Sequence, residues 1–201
     1  MLFLSFFTLV VTGFALKFPD AAWVQLLSYL GLDEAARRWV HRGAALVLVA
    51  ISLVQLYYLV FRRRGRRELR SLIPVLADVR SLRQNLVFHL GKSREHPAYG
   101  RFDYTEKLEY LALIWGTAVM AFSGFVLWFP EIFLSFLPAW IFEVCEVVHF
   151  YEAWLATLAI LIWHWYFVLL HPESYPMSFT WLTGKLPESV HRKHHPEEEV
   201  E

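Results

Sequence analysis

Val147-Val148-His149-Phe150-Tyr151-Glu152-Ala153-Trp154, running on through Trp163-His164-Trp165-Tyr166, is one strongly apolar segment that carries two histidines. Fifteen residues separate His149 from His164. On an α-helix that spacing puts them ~22 Å apart along the axis and within ~60° of one another around it. They share one face at two depths. Ionisable groups inside a hydrocarbon layer are costly and mark functional sites, so each histidine calls for a partner.

The surrounding composition makes that setting a membrane. Of 201 residues, 57% are hydrophobic and 17% aromatic, and several apolar runs reach the ~20 residues a helix needs to cross a ~30 Å hydrocarbon core. Formal net charge is zero, but twelve of the nineteen Lys and Arg fall between Arg62 and Lys107. The positive-inside rule places that segment in the cytoplasm. A lone cysteine, Cys145, excludes an internal disulfide, a four-cysteine iron-sulfur cluster and a covalent Cys-x-x-Cys-His haem site. No small-residue cleavage site follows the first apolar run, so it reads as a span and not as a removable signal peptide.

Four spans emerge in order. Span one covers Met1 to Phe18 and stops at Pro19-Asp20, because proline cannot continue a helix and biases the residue before it away from helical angles. Ala21 to Gly31 reads as a short interfacial helix. Asp33 is placed to cap span two, Glu34 to Phe61, with His41 just inside the bilayer. The arginines from Arg62 onward, with Leu69, Leu72, Ile73, Leu76, Val79, Leu82, Leu86 and Leu90 at helical spacing, predict one amphipathic helix on the cytoplasmic surface. Asp103 and Glu106 form a capping-box-like start to span three, Leu108 to Phe129, which Pro130 closes. Pro138 opens the helix containing span four, which runs to about Leu170 before His171-Pro172-Glu173. Both termini are then cytoplasmic, and His41 and His149 lie near the outer face.

The expected fold is therefore all-α, an integral membrane four-helix bundle of two duplicated hairpins with a cytoplasmic amphipathic helix. Residues 1–184 form the membrane domain, with a cytoplasmic loop over 62–103, and 185–201 a cytoplasmic tail of low order. His191, His194 and His195 in that tail read better as solvated than as a metal cluster.

An internal repeat supplies one partner. Thr12-Gly13-Phe14-Ala15-Leu16-Lys17-Phe18-Pro19-Asp20 matches Ser123-Gly124-Phe125-Val126-Leu127-Trp128-Phe129-Pro130-Glu131 at an offset of 111 residues, and His41 and His149 differ by 108. Parallel repeats related by an axis along the membrane normal would let these histidines face each other. A tetrapyrrole iron between them could take one imidazole from each side. Gly13 and Gly124, at similar depth, would clear space for the ring or simply allow close helix packing. The alternative for the histidines is a polar contact between helices. Arg37, Arg38 and Arg42 lie where positive charge is disfavoured, so they fit either propionate carboxylates or pairing with Asp33, Glu34 or Glu143.

His164 has no such partner, since span two offers Gln55, Leu56 and Tyr57 at its depth. Counting ~15 residues back from Gly13 at 1.5 Å per residue puts the matching position at about residue −2. A second histidine is thus expected just upstream of Met1.

The His41-Arg42 start of span two, Arg101-Phe102-Asp103-Tyr104-Thr105-Glu106-Lys107 leading into Trp115-Gly116-Thr117, Ser123-Gly124-Phe125, His149 with Glu152-Ala153, and His164 followed by His171-Pro172-Glu173 form an ordered set. Together they resemble the di-haem cytochrome b membrane subunits of the formate dehydrogenase gamma-subunit and NiFe-hydrogenase type. The resemblance implies an outer haem b on His41 and His149 and an inner haem b on His164 plus a span-one histidine. It also implies quinone as substrate near His164 and the Phe102 to Glu106 turn, in a bacterial inner membrane. The implied partner is a periplasmic multihaem cytochrome c or an iron-sulfur oxidoreductase subunit, and nucleic acid has no place in this scheme. Asp103 could accept a quinol proton or cap span three; Glu152 could support His149 or pair with an arginine. The rival function is a haem-free membrane anchor for a partner complex.

Overall fold

The computed structural model describes residues 1–93 and 101–170 together with Tyr175 and Met177, without the side chains of residues 164 and 167. The His164 imidazole, His171, part of the 62–103 loop and the 185–201 tail with its histidines therefore lie outside the described residues. Every element among those described is helical: α1 (Leu2–Lys17), α2 (Ala22–Tyr29), α3 (Glu34–Phe61), α4 (Arg63–Leu72), α5 (Leu76–His89), α6 (Tyr104–Trp128), α7 (Pro130–Leu134) and α8 (Ala139–Leu158). Two π-helical stretches, Ala159–His164 and Tyr166–Leu170, continue α8.

Among the described residues three helices are long and apolar enough to cross a bilayer: α3, α6, and α8 with its continuation to Leu170. With 16 residues, α1 is about 24 Å long, less than the ~30 Å of hydrocarbon. It completes a fourth crossing only as a bent pair with α2, from which its axis departs by 107°. The spanning helices expose large apolar side chains such as Leu46, Leu53, Val54, Leu111 and Trp115, as lipid-facing helices do when polar and small residues make the internal contacts.

The chain divides into two compact units, Met1–Tyr58 with Gly116–Leu158, and Leu59–Trp115 with Ala159–Glu201. In the first unit the sequence repeat extends to backbone angles. Phe18 ends α1 at φ −120°, ψ 63°, and Phe129, 111 residues on, ends α6 at φ −122°, ψ 57°. The proline that follows each forbids another helical turn. Phe14 packs on Trp154 with ring centroids 4.6 Å apart, and Phe18 on Phe150 at 6.0 Å, holding α1 to α8. Lys17 Nζ lies 5.3 Å from the Phe150 ring and 2.8 Å from Glu146. At the repeat-related positions, the Arg42 guanidinium sits 5.1 Å over Trp128. The cation and the ring have exchanged helices while their pairing persists.

Arg37, only 4% exposed, donates from Nη1 to Ser28 Oγ at 2.7 Å and to the Leu32 carbonyl at 2.8 Å. It thereby fixes the turn between α2 and α3. Asp33 caps α3 as expected, accepting from the Ala36 N–H at 2.8 Å.

The second unit corrects one expectation. The single amphipathic helix after Arg62 is two helices, interrupted at Ile73-Pro74-Val75. Pro74 has no N–H to donate and disfavours helical angles at Ile73, which is extended at φ −71°, ψ 125°. The Val75 N–H then donates to Asp78 Oδ2 at 2.7 Å to start α5. Asp78 also accepts from Lys107 Nζ at 2.8 Å and 3.0 Å, and Asn85 Nδ2 donates to Tyr104 Oη at 2.7 Å. These two bonds strap α5 to the start of α6. There Asp103 Oδ1 accepts from the Glu106 N–H at 2.7 Å while Glu106 Oε2 accepts from the Asp103 N–H at 2.9 Å, a reciprocal capping box.

A second correction concerns span four. Past Leu158 its winding is π, with wider turns than an α-helix. The ~60° relation between His149 and His164 assumed α-winding throughout, so that premise fails over the last turns.

Burial would raise the Asp78 carboxyl, but the Lys107 hydrogen bonds and the Val75 N–H outweigh it and hold the group below the ordinary carboxylate value. A depressed acid stabilises the fold above its unfolded value of about 3.9 and loses that contribution as pH falls through the folded value. Asp78→Asn is therefore expected to release α5 at neutral pH. The cost is on the order of 1–3 kcal/mol for the stranded lysine, seen as faster hydrogen exchange confined to residues 76–89. Unchanged exchange there would show that the strap carries no stability.

Candidate functional site

Helices α3 and α8 bring His41 and His149 together in the first unit, with ring centroids 6.5 Å apart and planes inclined at 68°. Each imidazole is tied to a neighbouring helix by the same device. His41 Nδ1 lies 2.9 Å from Thr12 Oγ1 on α1, and His149 Nδ1 lies 2.9 Å from Ser123 Oγ on α6. Thr12 Oγ1 donates its proton to the Thr8 carbonyl at 2.6 Å, and Ser123 Oγ donates to the Val119 carbonyl at 2.7 Å. The hydroxyl and carbonyl partners recur at the 111-residue offset, and the histidines at 108. A hydroxyl has one hydrogen. With that hydrogen committed to a carbonyl, each oxygen can only accept, so Nδ1 of each histidine carries the proton. In the neutral ring Nε2 then keeps its lone pair.

Gly13 and Gly124 stand beside these rings. A Cβ built on Gly13 would lie 3.1 Å from His41 Cε1, and one on Gly124 would lie 3.1 Å from His149 Cε1. Their missing side chains therefore admit the imidazoles.

The residues present fit haem iron by their chemistry: two imidazoles approach one another within the apolar segments, with ring centroids 6.5 Å apart, and histidine is a haem-iron ligand. The donor set also fits, because haem iron takes neutral imidazole; the one cysteine, Cys145, is a buried free thiol on α8. Among the described residues no group of three or more His, Cys, Asp or Glu could hold a bare metal ion.

The other residues read from the sequence fall elsewhere. Glu152 does not hold His149, whose Nδ1 belongs to Ser123; its Oε1 occupies the space beside Gly116, 2.6 Å from where a Cβ would be. Of the three outer arginines, Arg38 pairs with Glu34 at 2.5 Å, while Arg37 serves the α2–α3 turn. The Arg42 guanidinium carbon lies over the Trp39 and Trp128 rings at 5.7 Å and 5.1 Å, and the group has no acid partner among the described residues. Asp103 caps α6. The His164 backbone lies in the first π stretch, and its imidazole is outside the described residues.

Thr12 and Ser123 escaped the sequence reading. The available signal was a hydroxyl residue just before the repeated glycine in both halves.

An all-helical membrane protein with two neutral imidazoles paired within its apolar segments is the class that this fold and site define. The chain belongs to the prokaryotic cytochrome b561 family, whose profile matches residues 1–176. That agrees with a cytochrome b of the NiFe-hydrogenase and formate dehydrogenase type and makes haem b electron transfer in the membrane its function. None of the curated proteins compared with the chain matches it.

Because the neighbour of Gly124 is a ring tied to α6 through Ser123, an added methyl cannot be absorbed cheaply. Gly124→Ala is expected to lower the haem b bound per polypeptide in purified protein. Gly116→Ala meets only the flexible end of Glu152, and Gly43→Ala meets nothing within 4 Å, so both should keep the wild-type haem content. Equal loss in all three variants would show general helix disruption instead.

Proposed function

We propose that His41 and His149 hold the iron of one haem b, and that the chain passes electrons between the membrane quinone pool and a redox partner at the outer face. The observation that carries this reading is the pair of imidazoles 6.5 Å apart, each with Nδ1 engaged by a hydroxyl that can only accept. Haem b, when bound, takes up and releases one electron at a time. Everything else is positioning, as in other cofactor proteins.

In this reading Thr12 and Ser123 fix the tautomer and orientation of the ligands, as outer hydrogen-bond partners of metal-bound histidines do. Gly13 and Gly124 let α1 and α6 approach closely enough for those bonds to form. Arg42, its guanidinium face held on two tryptophans, offers its edge to a carboxylate at the outer end. The four spans form a bundle of two duplicated hairpins over residues 1–184, with the ligands on its facing helices.

The orientation follows from the arginine-rich 62–103 segment lying in the cytoplasm of a bacterial inner membrane, with both termini on that side. His41 and His149 then lie toward the periplasm, where a multihaem cytochrome c or an iron-sulfur subunit would exchange electrons. The quinone would approach from the inner side near the Phe102 to Glu106 turn, where Asp103 combines its capping role with a carboxylate at the membrane surface. A second, inner haem b would use His164.

His149→Ala is expected to abolish the dithionite-reduced b-type absorption of the outer haem while membrane insertion persists. Ser123→Ala should weaken haem binding by ~10–100-fold, the range that outer partners of a ligating histidine carry, without removing the ligand. An undiminished haem spectrum in His149→Ala would refute the assignment.

A further inference from the structure

Helix α5 engages α6 through two polar residues and leaves a row of aliphatic residues exposed. Asp78 and Asn85 bind Lys107 and Tyr104 on α6, whereas Leu76 is 84% exposed, and Val79, Leu82, Leu86 and Leu90 are exposed with it. Those five recur at three- and four-residue steps and so line one face. A helix in water has the opposite arrangement. Beside that apolar face lie Arg80 and Arg83, one helical turn apart, lining with Gln84, Val87 and Ser93 an open cleft of about 450 Å³. Both arginines are exposed. Neither has a carboxylate within salt-bridge distance among the described residues, unlike Arg64, which pairs with Glu68, and Lys107, which pairs with Asp78.

We propose that α5 is a phospholipid-binding helix: its leucine face enters the acyl boundary of the inner leaflet, and Arg80 and Arg83 hold the phosphate of an anionic headgroup. The proposal rests on the orientation given above, which puts α5 on the cytoplasmic side. Three features select a lipid as occupant. Arginine pairs phosphate oxygens in two-point fashion. The two arginines and the exposed aliphatic residues lie on the same short helix, a cationic cleft beside an apolar face, as a molecule with a charged head and hydrocarbon tails requires. The chain's own glutamate-rich end could answer the arginines, but it would not cover five exposed aliphatic side chains. The Asp78 and Asn85 straps fix the helix rotation that keeps this face outward. Pro74 supports the same geometry, because breaking the amphipathic run lets α5 lie along the surface independently of α4.

The test uses the full-length haem-loaded protein in detergent, titrated with phosphatidylglycerol or phosphatidylcholine of matched chains and read by native mass spectrometry. Wild type is expected to retain phosphatidylglycerol in preference to phosphatidylcholine, with the preference falling as salt rises. Arg80→Gln/Arg83→Gln should reduce that preference roughly thirty-fold, from two cations near an anionic surface, while the haem spectrum stays unchanged. Arg62→Gln/Arg63→Gln, which removes two cations from outside the cleft, should retain most of it. Equal binding of the two lipids, or a full preference in Arg80→Gln/Arg83→Gln, would overturn the proposal. So would a preference that appears only after residues 185–201 are deleted, since the tail would then be the occupant. The haem signal, measured on the same samples, separates failure here from failure of the electron-transfer reading.

Discussion

The hydroxyl-to-imidazole hydrogen bond is the constraint around which the first unit is arranged. Within an apolar segment a histidine costs least when neutral and fully engaged, and Thr12 and Ser123 satisfy one nitrogen of each ring. Because each hydroxyl spends its own proton on the carbonyl one turn earlier, the bond has a direction. It fixes which nitrogen is protonated without placing a charge in the membrane. That direction is a property of helical backbone geometry, since the carbonyl four residues back is always within reach of a serine or threonine side chain. The binding chemistry therefore depends on no loop conformation.

The same geometry explains why the repeat keeps some residues and exchanges others. Thr12 and Ser123 are interchangeable as acceptors, so either satisfies the bond. Gly13 and Gly124 are not replaceable in this sense, because a ring occupies the space beside each. The cation-π pairs at Lys17 with Phe150 and Arg42 with Trp128 need a cation and a ring in contact, with no demand on which helix supplies which. The repeat thus holds strictly where geometry is tight and loosely where only complementary chemistry is required.

Much of this was legible in the sequence. The 111-residue offset paired the right glycines and located the histidines that the structure brings together, and Pro19 and Pro130 marked helix ends at which Phe18 and Phe129 adopt nearly the same angles. What was not legible depends on details that periodicity does not carry. The apolar spacing from Leu69 to Leu90 continues across Pro74, so the pattern of burial concealed a backbone break. The reason for Gly13 and Gly124 required knowing which atom approaches them. Asp78 and Lys107 lie 29 residues apart, and nothing local joins them. The π-winding after Leu158 leaves composition unchanged while altering which residues share a face.

The charges divide by the work they do. Asp78 with Lys107 is a shielded pair, with side chains 16% and 11% exposed, and its value lies in fixing where α5 sits, since removing either partner would leave the other shielded and alone. Arg37 acts similarly at the α2–α3 turn, through neutral acceptors. Arg38 with Glu34 is an exposed pair one helical turn apart, and such pairs contribute little. Arg42 differs again: its guanidinium lies over two indole rings and has no acid partner among the described residues. Sorting cations by what they touch thus separates those that close the fold from those that do not, a distinction that the positive-inside count, which weighs all of them equally, does not make.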